Sequence, residues 1–228
     1  NPEDHPGENW LMKEFSQRFY HFIFWPLRVT FALKHPVLRV HGKENIPQGP
    51  AIVCCNHSAF SDPIWVIFAA HPKRIFRTMA KKELFDHRFL GWLIGKVGAF
   101  PVDRSTSDIN AVKTAMHILR SGDKLLIFPE GTRNINEDVT ELLPFKEGSL
   151  KIAEKAGCPI VPVAITGTSE VFEKHIPFIR RSQVTIEFGE PFYAKELPLE
   201  ERKHAGAYTR NKIIEMLKAE QQIRRSGK

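Results

Sequence analysis

A histidine and an aspartate stand five positions apart, just after an apolar run that has the composition of a buried strand. They are His57 and Asp62 in the segment Asn56-His-Ser-Ala-Phe-Ser-Asp62. In a loop that turns into a helix, this spacing lets the carboxylate reach back to the imidazole and hold it in one tautomer, as a general base requires. The alternative is structural: Asp62 only caps a helix, and His57 is a polar loop residue.

Two further segments place charged side chains after apolar runs. Phe128-Pro-Glu-Gly-Thr-Arg133 ends in residues whose backbone N–H groups and guanidinium suit an anion. Gly98-Ala-Phe-Pro-Val-Asp-Arg104 ends in an arginine. Taken singly, the first segment is also typical of an ordinary turn, and the second of a surface arginine beside Asp103. Together with the His57 segment, they indicate a site for an anionic substrate.

Alternating strands and helices are needed to hold these segments. Apolar runs of strand type alternate with helical patterns, which predicts an α/β fold with a central, mostly parallel or mixed sheet covered by helices on both faces. The predicted strands are 37–41, 51–55, 75–80, 99–102, 124–128, 160–165 and 184–188, and the predicted helices are 62–70, 88–96, 108–120, 148–156 and 200–222. Because parallel strands end at one edge of a sheet, we expect the three segments to converge there. The residues concerned are His57, Arg104, Glu130 and Arg133.

In this order, the three segments and a later strand resemble the glycerolipid acyltransferase family, as represented by its lysophosphatidic acid acyltransferases. Those proteins carry N-H-x-x-x-x-D, then G-x-F-x-x-R, then F-P-E-G-T-R, then a V-P-V-like strand. Val161-Pro-Val-Ala164 provides the fourth block, and Phe145-Lys-Glu-Gly148 is similar to the family's F-K-x-G segment. The resemblance extends from Ile52 to Ala164 and departs from none of the motif positions.

The resemblance implies an enzyme that moves a fatty acyl group from a thioester, either acyl-CoA or acyl-acyl carrier protein, to the sn-2 hydroxyl of lysophosphatidic acid. Phosphatidic acid would be the product, as a step of phospholipid biosynthesis, and no metal or other cofactor is implied. His57 would be the general base, and Asp62 would orient it. The implied substrate-binding residues are Arg104, Glu130, Gly131, Thr132, Arg133 and Lys146, with the two arginines on the acceptor phosphate.

Two alternatives stay open. Within the family, the acceptor could be another lysophospholipid or glycerol-3-phosphate, since two arginines suit several phosphate-bearing acceptors. Outside it, the chain could be a non-catalytic module that binds lipid headgroups through basic clusters such as Lys81-Lys82 and Arg180-Arg181. These clusters come without a nucleic-acid-binding motif or interleaved aromatic residues, so we expect no nucleic-acid partner.

Aromatic residues crowd the N-terminal segment 10–34. Arg18 and Arg28 bracket only nine uncharged residues there, and Pro26 interrupts them, whereas a membrane-spanning helix needs about 20 apolar residues. Aromatic rings mixed with Lys and Arg suit helices that lie in the headgroup layer. We therefore expect residues 1–36 to form a membrane-docking helical hairpin and residues 37–228 to form a single α/β domain. The alternative is an amphipathic helix that packs its aromatic side chains onto that domain.

Composition bounds the class of protein and its surroundings. The 228 residues are 42% hydrophobic and 26% charged, which is typical of a globular protein and excludes collagen-like, coiled-coil and disordered chains. The formal charge of +7 favours anionic partners such as an anionic bilayer surface. Three cysteines without a disulfide pattern indicate a reducing compartment, so we expect a peripheral or monotopic protein on the cytoplasmic face of a membrane.

Cys54 and Cys55 close to His57 raise two further alternatives, a metal site and a thiol nucleophile. Neighbouring residues of a strand point to opposite faces of the sheet, so the two thiolates do not easily reach one ion. Cys55 and His57 could share a side, which leaves a cysteine nucleophile open.

Overall fold

The fold is that of a computed structural model, which describes residues 18–20, 22–23, 25–26, 29, 38–71, 75–103, 109–171 and 183–227. Strands and helices alternate through most of this part of the chain, as the sequence predicts. The strands are β1 (Leu38–His41), β2 (Ala51–Cys55), β3 (Phe76–Lys81), β4 (Ala99–Val102), β5 (Lys124–Ile127), β6 (Ile160–Thr166) and β7 (Val184–Phe188). The helices are α1 (Asp62–Ala70), α2 (Arg88–Lys96), α3 (Ile109–Arg120), α4 (Glu147–Ala156), α5 (Leu199–Lys203) and α6 (Ala205–Arg225).

The seven strands form one mixed sheet in the order β1-β7-β6-β2-β5-β3-β4. Every neighbouring pair is parallel except β6 and β7, which run antiparallel. Strand β2 is flanked by β5 and β6, and all five of its residues are buried, as expected for a central parallel strand covered on both faces. The loops after β2, β5 and β6 therefore lie side by side at the carboxyl edge of the sheet.

Helices cover both faces of the sheet, which confirms the predicted α/β fold. On one face, α1 packs against Val53 and Cys55 of β2. On the other face, α3, α4 and α6 pack against Ile52 and Cys54. The two adjacent cysteines thus belong to separate cores, because successive side chains of a strand alternate between faces.

The predicted C-terminal helix over 200–222 is wrong in one respect: it is two helices. Helix α5 ends at Lys203, and α6 begins at Ala205. Between them, His204 has the non-helical torsion angles φ −118° and ψ 42°. The backbone N–H of Gly206 then donates to Glu147 Oε2 at 3.0 Å, so a side chain of α4 satisfies one of the unpaired donors at the start of α6.

Among the described N-terminal residues, the Tyr20 ring is packed against the protein, whereas the Phe22 and Trp25 side chains are exposed. The predicted hairpin over 1–36 lies mostly outside the described residues, but helical residues occur within 18–29. The Tyr20 ring is buried and stacks on His71 with the ring centroids 6.3 Å apart, and burial raises the pKa of its phenol. Phe22 and Trp25 are 72% and 67% exposed. Among the helices of the described residues, none has both the length and the apolar character needed to cross a bilayer.

Candidate active site

The structure brings His57 and Asp62 into direct contact. His57 lies in the loop after β2, and Asp62 is the first residue of α1. Their side chains meet with His57 Nδ1 at 2.9 Å from Asp62 Oδ2. The spacing of five residues therefore closes a small loop between the end of a central strand and the start of a helix, as the sequence predicts. The catalytic role of the pair remains a prediction.

Hydrogen-bond donors surround the buried Asp62 carboxylate. Its Oδ2 atom accepts from the backbone N–H groups of Ser58 at 2.7 Å and Ala59 at 2.8 Å, in addition to His57. Its Oδ1 atom accepts from the Thr168 hydroxyl at 2.5 Å. An ionised carboxylate is an acceptor only, so His57 Nδ1 must carry the proton that lies between the two side chains. The Nε2 atom of His57 is then the unprotonated nitrogen of the neutral ring, which is the state that a general base needs.

The start of the His57 loop is fixed to the neighbouring strand. The buried Asn56 amide makes two hydrogen bonds with the backbone of Ile165 in β6, donating to its carbonyl at 3.0 Å and accepting from its N–H at 2.8 Å. The His57 ring also packs against Phe128, with the ring centroids 4.4 Å apart. Contacts from β6 on one side and from the end of β5 on the other therefore restrict the imidazole.

Glu130 joins the second segment to the first. Its buried carboxylate accepts from the backbone N–H of His57 at 2.8 Å and from that of Leu143 at 3.0 Å. In the same region, the backbone N–H of Asn134 donates to the His57 carbonyl at 2.7 Å. Burial raises the pKa of Glu130, and the two N–H donors oppose this shift. Both oxygens of Glu130 thus face the protein backbone, a scaffolding contact in addition to the acceptor binding that the resemblance implies.

Gly131 and Lys146 approach each other closely. Gly131 has a φ of 75°, and a Cβ atom added there would lie 2.8 Å from Lys146 Nζ. The backbone N–H of Lys146 donates to the Pro129 carbonyl at 3.0 Å, which fixes the start of α4 against this turn. The side chains of Lys146, Thr132 and Arg133 are exposed. The structure therefore places two cationic residues, Lys146 and Arg133, around the turn that supports the His57 loop.

The remaining predicted site residue is Arg104, which lies outside the described residues. Its strand, β4, forms the edge of the sheet and is separated from β5 by β3. The expected convergence of Arg104 with His57 and Glu130 consequently stays a prediction. The structure does bring together the segments that follow β2 and β5.

Cys55 is an unsuitable nucleophile. Its side chain is fully buried, and burial raises the pKa of the thiol, with smaller contributions from Cys54 and Asp62. A thiolate is the reactive form of cysteine, and it is scarce at neutral pH when the pKa is raised. The geometry therefore favours general-base catalysis by His57 over a cysteine nucleophile.

Sequence reasoning assigned no role to two residues that position the site: Asn56, which belongs to the His57 segment, and Thr168. Both contact partners more than one hundred residues away along the chain: Asn56 pairs with Ile165, and Thr168 with Asp62. A signal was present, because Gly167 and Thr168 directly follow the buried strand β6, at the edge where the other polar segments lie. Only the order of the strands shows that this end is adjacent to the end of β2.

Comparison with known proteins identifies similar chains. The Acyltransferase family model matches residues 37–166. The 1-acyl-sn-glycerol-3-phosphate acyltransferase of Bacillus subtilis (strain 168) is 34% identical over 202 residues, which cover 87% of this chain and 96% of that protein. The protein of the same name from Streptococcus pneumoniae is 36% identical over 154 residues, or 66% of this chain and 54% of its own length.

A solved structure shares the fold. The crystal structure of the 1-acyl-sn-glycerophosphate (LPA) acyltransferase PlsC from Thermotoga maritima superposes with a TM-score of 0.64 at 30% sequence identity. The match covers 92% of this chain and 80% of that one.

Proposed function

The chain belongs to the Acyltransferase family, and we propose that it transfers a fatty acyl group from a thioester donor to the sn-2 hydroxyl of lysophosphatidic acid, giving phosphatidic acid. The observation that carries the proposal is the contact of His57 with a buried, fully hydrogen-bonded Asp62. The names of the relatives from Bacillus subtilis and Thermotoga maritima support lysophosphatidic acid as the acceptor.

The mechanism is direct transfer without an acyl-enzyme. His57 Nε2 takes the proton of the acceptor hydroxyl as that oxygen attacks the thioester carbonyl carbon. The new carbon–oxygen bond forms, a tetrahedral oxyanion results, and its collapse breaks the carbon–sulfur bond. The proton on Nε2 then passes to the departing thiolate, so the products are the diacyl lipid and the free thiol. Asp62 holds the imidazole in place throughout and stabilises its protonated form.

Cationic side chains near His57 select the phosphate of the acceptor. Arg133 and Lys146 lie around the turn that supports the His57 loop, and Arg104 is the third cation that the proposal assigns to this task. Guanidinium groups match phosphate geometry well and hold it by charge-assisted hydrogen bonds. Acyl-CoA or acyl-acyl carrier protein is the donor, and the reaction requires no metal or other cofactor.

Exposed apolar side chains at the carboxyl edge of the sheet support peripheral association with a membrane. Phe60 in the His57 loop is 66% exposed, and Ile135, which follows Asn134, is 90% exposed. Ile109 begins α3 after the carboxyl end of β4 and is 68% exposed. Large apolar residues on loops of one edge suit insertion into the headgroup layer. We place this edge, with the N-terminal aromatic residues, against the cytoplasmic face of a bilayer.

The test of the proposal is an acceptor panel. Purified protein on anionic vesicles receives radiolabelled acyl-CoA or acyl-acyl carrier protein together with lysophosphatidic acid, lysophosphatidylcholine or glycerol-3-phosphate. The proposal expects labelled phosphatidic acid to form at the highest kcat/KM, and to form equally in the presence of EDTA. A higher kcat/KM with another acceptor would establish the alternative assignment within the family. No product from any combination would favour a non-catalytic lipid-binding protein.

A further inference from the structure

We propose that Thr168 is a positioning residue for the reaction, acting on His57 through Asp62. The proposal rests on the proposed function, since it concerns the same general base. Thr168 is completely buried, and its Oγ1 atom lies 2.5 Å from Asp62 Oδ1. Within the described part of the chain, it supplies the one hydrogen bond to Oδ1, whereas three donors converge on Oδ2.

The division of donors explains why Thr168 matters for orientation. The three donors on Oδ2 fix that oxygen, and none of them contacts Oδ1. Thr168 holds the opposite oxygen, so the plane of the carboxylate is fixed by contacts at both ends. Because Asp62 Oδ2 in turn aligns His57 Nδ1, the direction in which Nε2 points depends on both contacts.

The ionised Asp62 carboxylate can only accept hydrogen bonds, and this identifies the donor in each contact of the network. The Thr168 hydroxyl must donate to Asp62, which commits its proton. The Ser58 hydroxyl lies 3.2 Å from Thr168 Oγ1 and must therefore be the donor in that contact. A chain of hydrogen bonds thus runs from Ser58 through Thr168 to Asp62, and such chains strengthen each member.

Thr168 reaches Asp62 from the turn after β6, whereas His57 and Asp62 follow β2. Strand β6 pairs in parallel with β2, and Gly167 turns the chain directly after β6 with a φ of 82°. A Cβ atom at Gly167 would lie 2.1 Å from the Gln183 carbonyl oxygen, so only glycine fits this turn. The Asn56 amide fixes β6 to the start of the His57 loop. Thr168 is therefore held by a different strand from the residues that it orients.

The expected consequence of losing the hydroxyl is a slower chemical step with unchanged substrate binding. In metal sites, a group that orients a ligating histidine contributes roughly 10- to 100-fold to function. We expect Thr168→Val, which removes the hydroxyl but keeps the β-branched shape, to lower kcat roughly 10-fold by the same reasoning. The KM values for lysophosphatidic acid and acyl-CoA should stay unchanged, because the Thr168 side chain is buried behind Asp62.

The experiment compares three variants of the full chain with the wild type. Thr168→Ser keeps the hydroxyl and should retain kcat. Thr166→Val is the matched control, because it removes another buried threonine hydroxyl at the end of β6 that contacts Arg224 instead of Asp62. Proton NMR of the His57 Nδ1–H provides a second readout that does not depend on turnover. Its hydrogen-bonded signal should shift or broaden in Thr168→Val and stay in place in Thr168→Ser and Thr166→Val.

The outcomes separate this proposal from the proposed function. A wild-type kcat and an unchanged Nδ1–H signal in Thr168→Val would overturn the positioning role while leaving the acyltransferase assignment intact. An equal loss of kcat in Thr166→Val would also overturn it, because the effect would then be general destabilisation. Should Thr168→Val fail to fold, Thr168→Ala takes its place with the same criteria. If the wild type transfers no acyl group, the NMR comparison alone decides whether Thr168 orients the pair.

Discussion

At the scale of the residue, the site depends on how one carboxylate is satisfied. Asp62 accepts hydrogen bonds from two backbone N–H groups of its own loop, from the imidazole of His57 and from the Thr168 hydroxyl in the turn after β6. Each of these donors is buried or partly buried, so a missing acceptor would leave an uncompensated polar group. Asp62 Oδ2, which aligns the proposed general base His57, therefore also holds the loop in shape.

Asp62→Asn tests this double role. The amide has one acceptor oxygen where the carboxylate has two, so at least one donor would face an NH₂ group. The variant should lose about 1–3 kcal/mol of unfolding free energy. Its kcat should fall by roughly 10³- to 10⁴-fold, because the imidazole loses the acceptor that fixes its tautomer. Thermal unfolding and steady-state assays measure the two effects, and Asp138→Asn on the exposed loop provides the control. Full activity in Asp62→Asn would contradict the assigned tautomer.

At the scale of the element, local sequence patterns predicted most strands and helices, but they could not predict contacts between residues far apart in the sequence. The runs at β2, β4 and β7 have the predicted bounds, because a buried apolar stretch between turn residues is a local signal. The His57 and Asp62 contact was also local, across a single loop. Thr168 could not be inferred, because its contact with Asp62 requires β6 to lie next to β2, and strand order depends on the packing of the whole sheet. The break at His204 was missed because Glu147 of α4 caps α6 from a distant part of the chain.

The turn after β6 gives a prediction at this scale. Gly167→Ala places a methyl group against the Gln183 carbonyl oxygen in a backbone conformation that disfavours side chains. We expect a loss of at least about 1 kcal/mol of unfolding free energy, together with a lower kcat, since the turn carries Thr168. Gly148→Ala in α4 is the matched control for stability, because open space surrounds that position and alanine favours a helix. Chemical denaturation of both variants measures the difference; equal stabilities would show that the turn tolerates a side chain.

At the scale of the whole molecule, the candidate active site and several exposed apolar side chains lie at the same edge of the sheet. The loops after β2 and β5 carry His57, Phe60 and Ile135, and α3 begins at this edge with Ile109. In the orientation that we propose, this edge would lie against the bilayer, and His57 would then be close to the surface from which a lipid acceptor comes. The formal net charge of +7 adds a general electrostatic attraction to anionic lipid.

Vesicle binding tests this orientation. Ile109→Ser and Ile135→Ser should each weaken binding to anionic vesicles by roughly 10- to 100-fold, since burying an isoleucine side chain contributes about 1.5–3 kcal/mol. Leu199→Ser is the matched control: Leu199 is 66% exposed, close to the 68% of Ile109, but it begins α5 and belongs to none of these loops. Co-sedimentation with vesicles provides the affinities. An equal loss in the Leu199 variant would mean that general hydrophobicity, and not this edge, drives binding.

The central claim is that His57 removes the proton of the acceptor hydroxyl during acyl transfer. Its most direct test is the initial rate of labelled phosphatidic acid formation from lysophosphatidic acid and acyl-CoA, measured for the wild type and for His57→Ala. Removal of a general base lowers rates by roughly 10²- to 10⁴-fold. We expect a loss of this size in kcat, with vesicle binding and thermal unfolding close to wild type. A folded His57→Ala protein that forms phosphatidic acid at the wild-type rate would contradict the account.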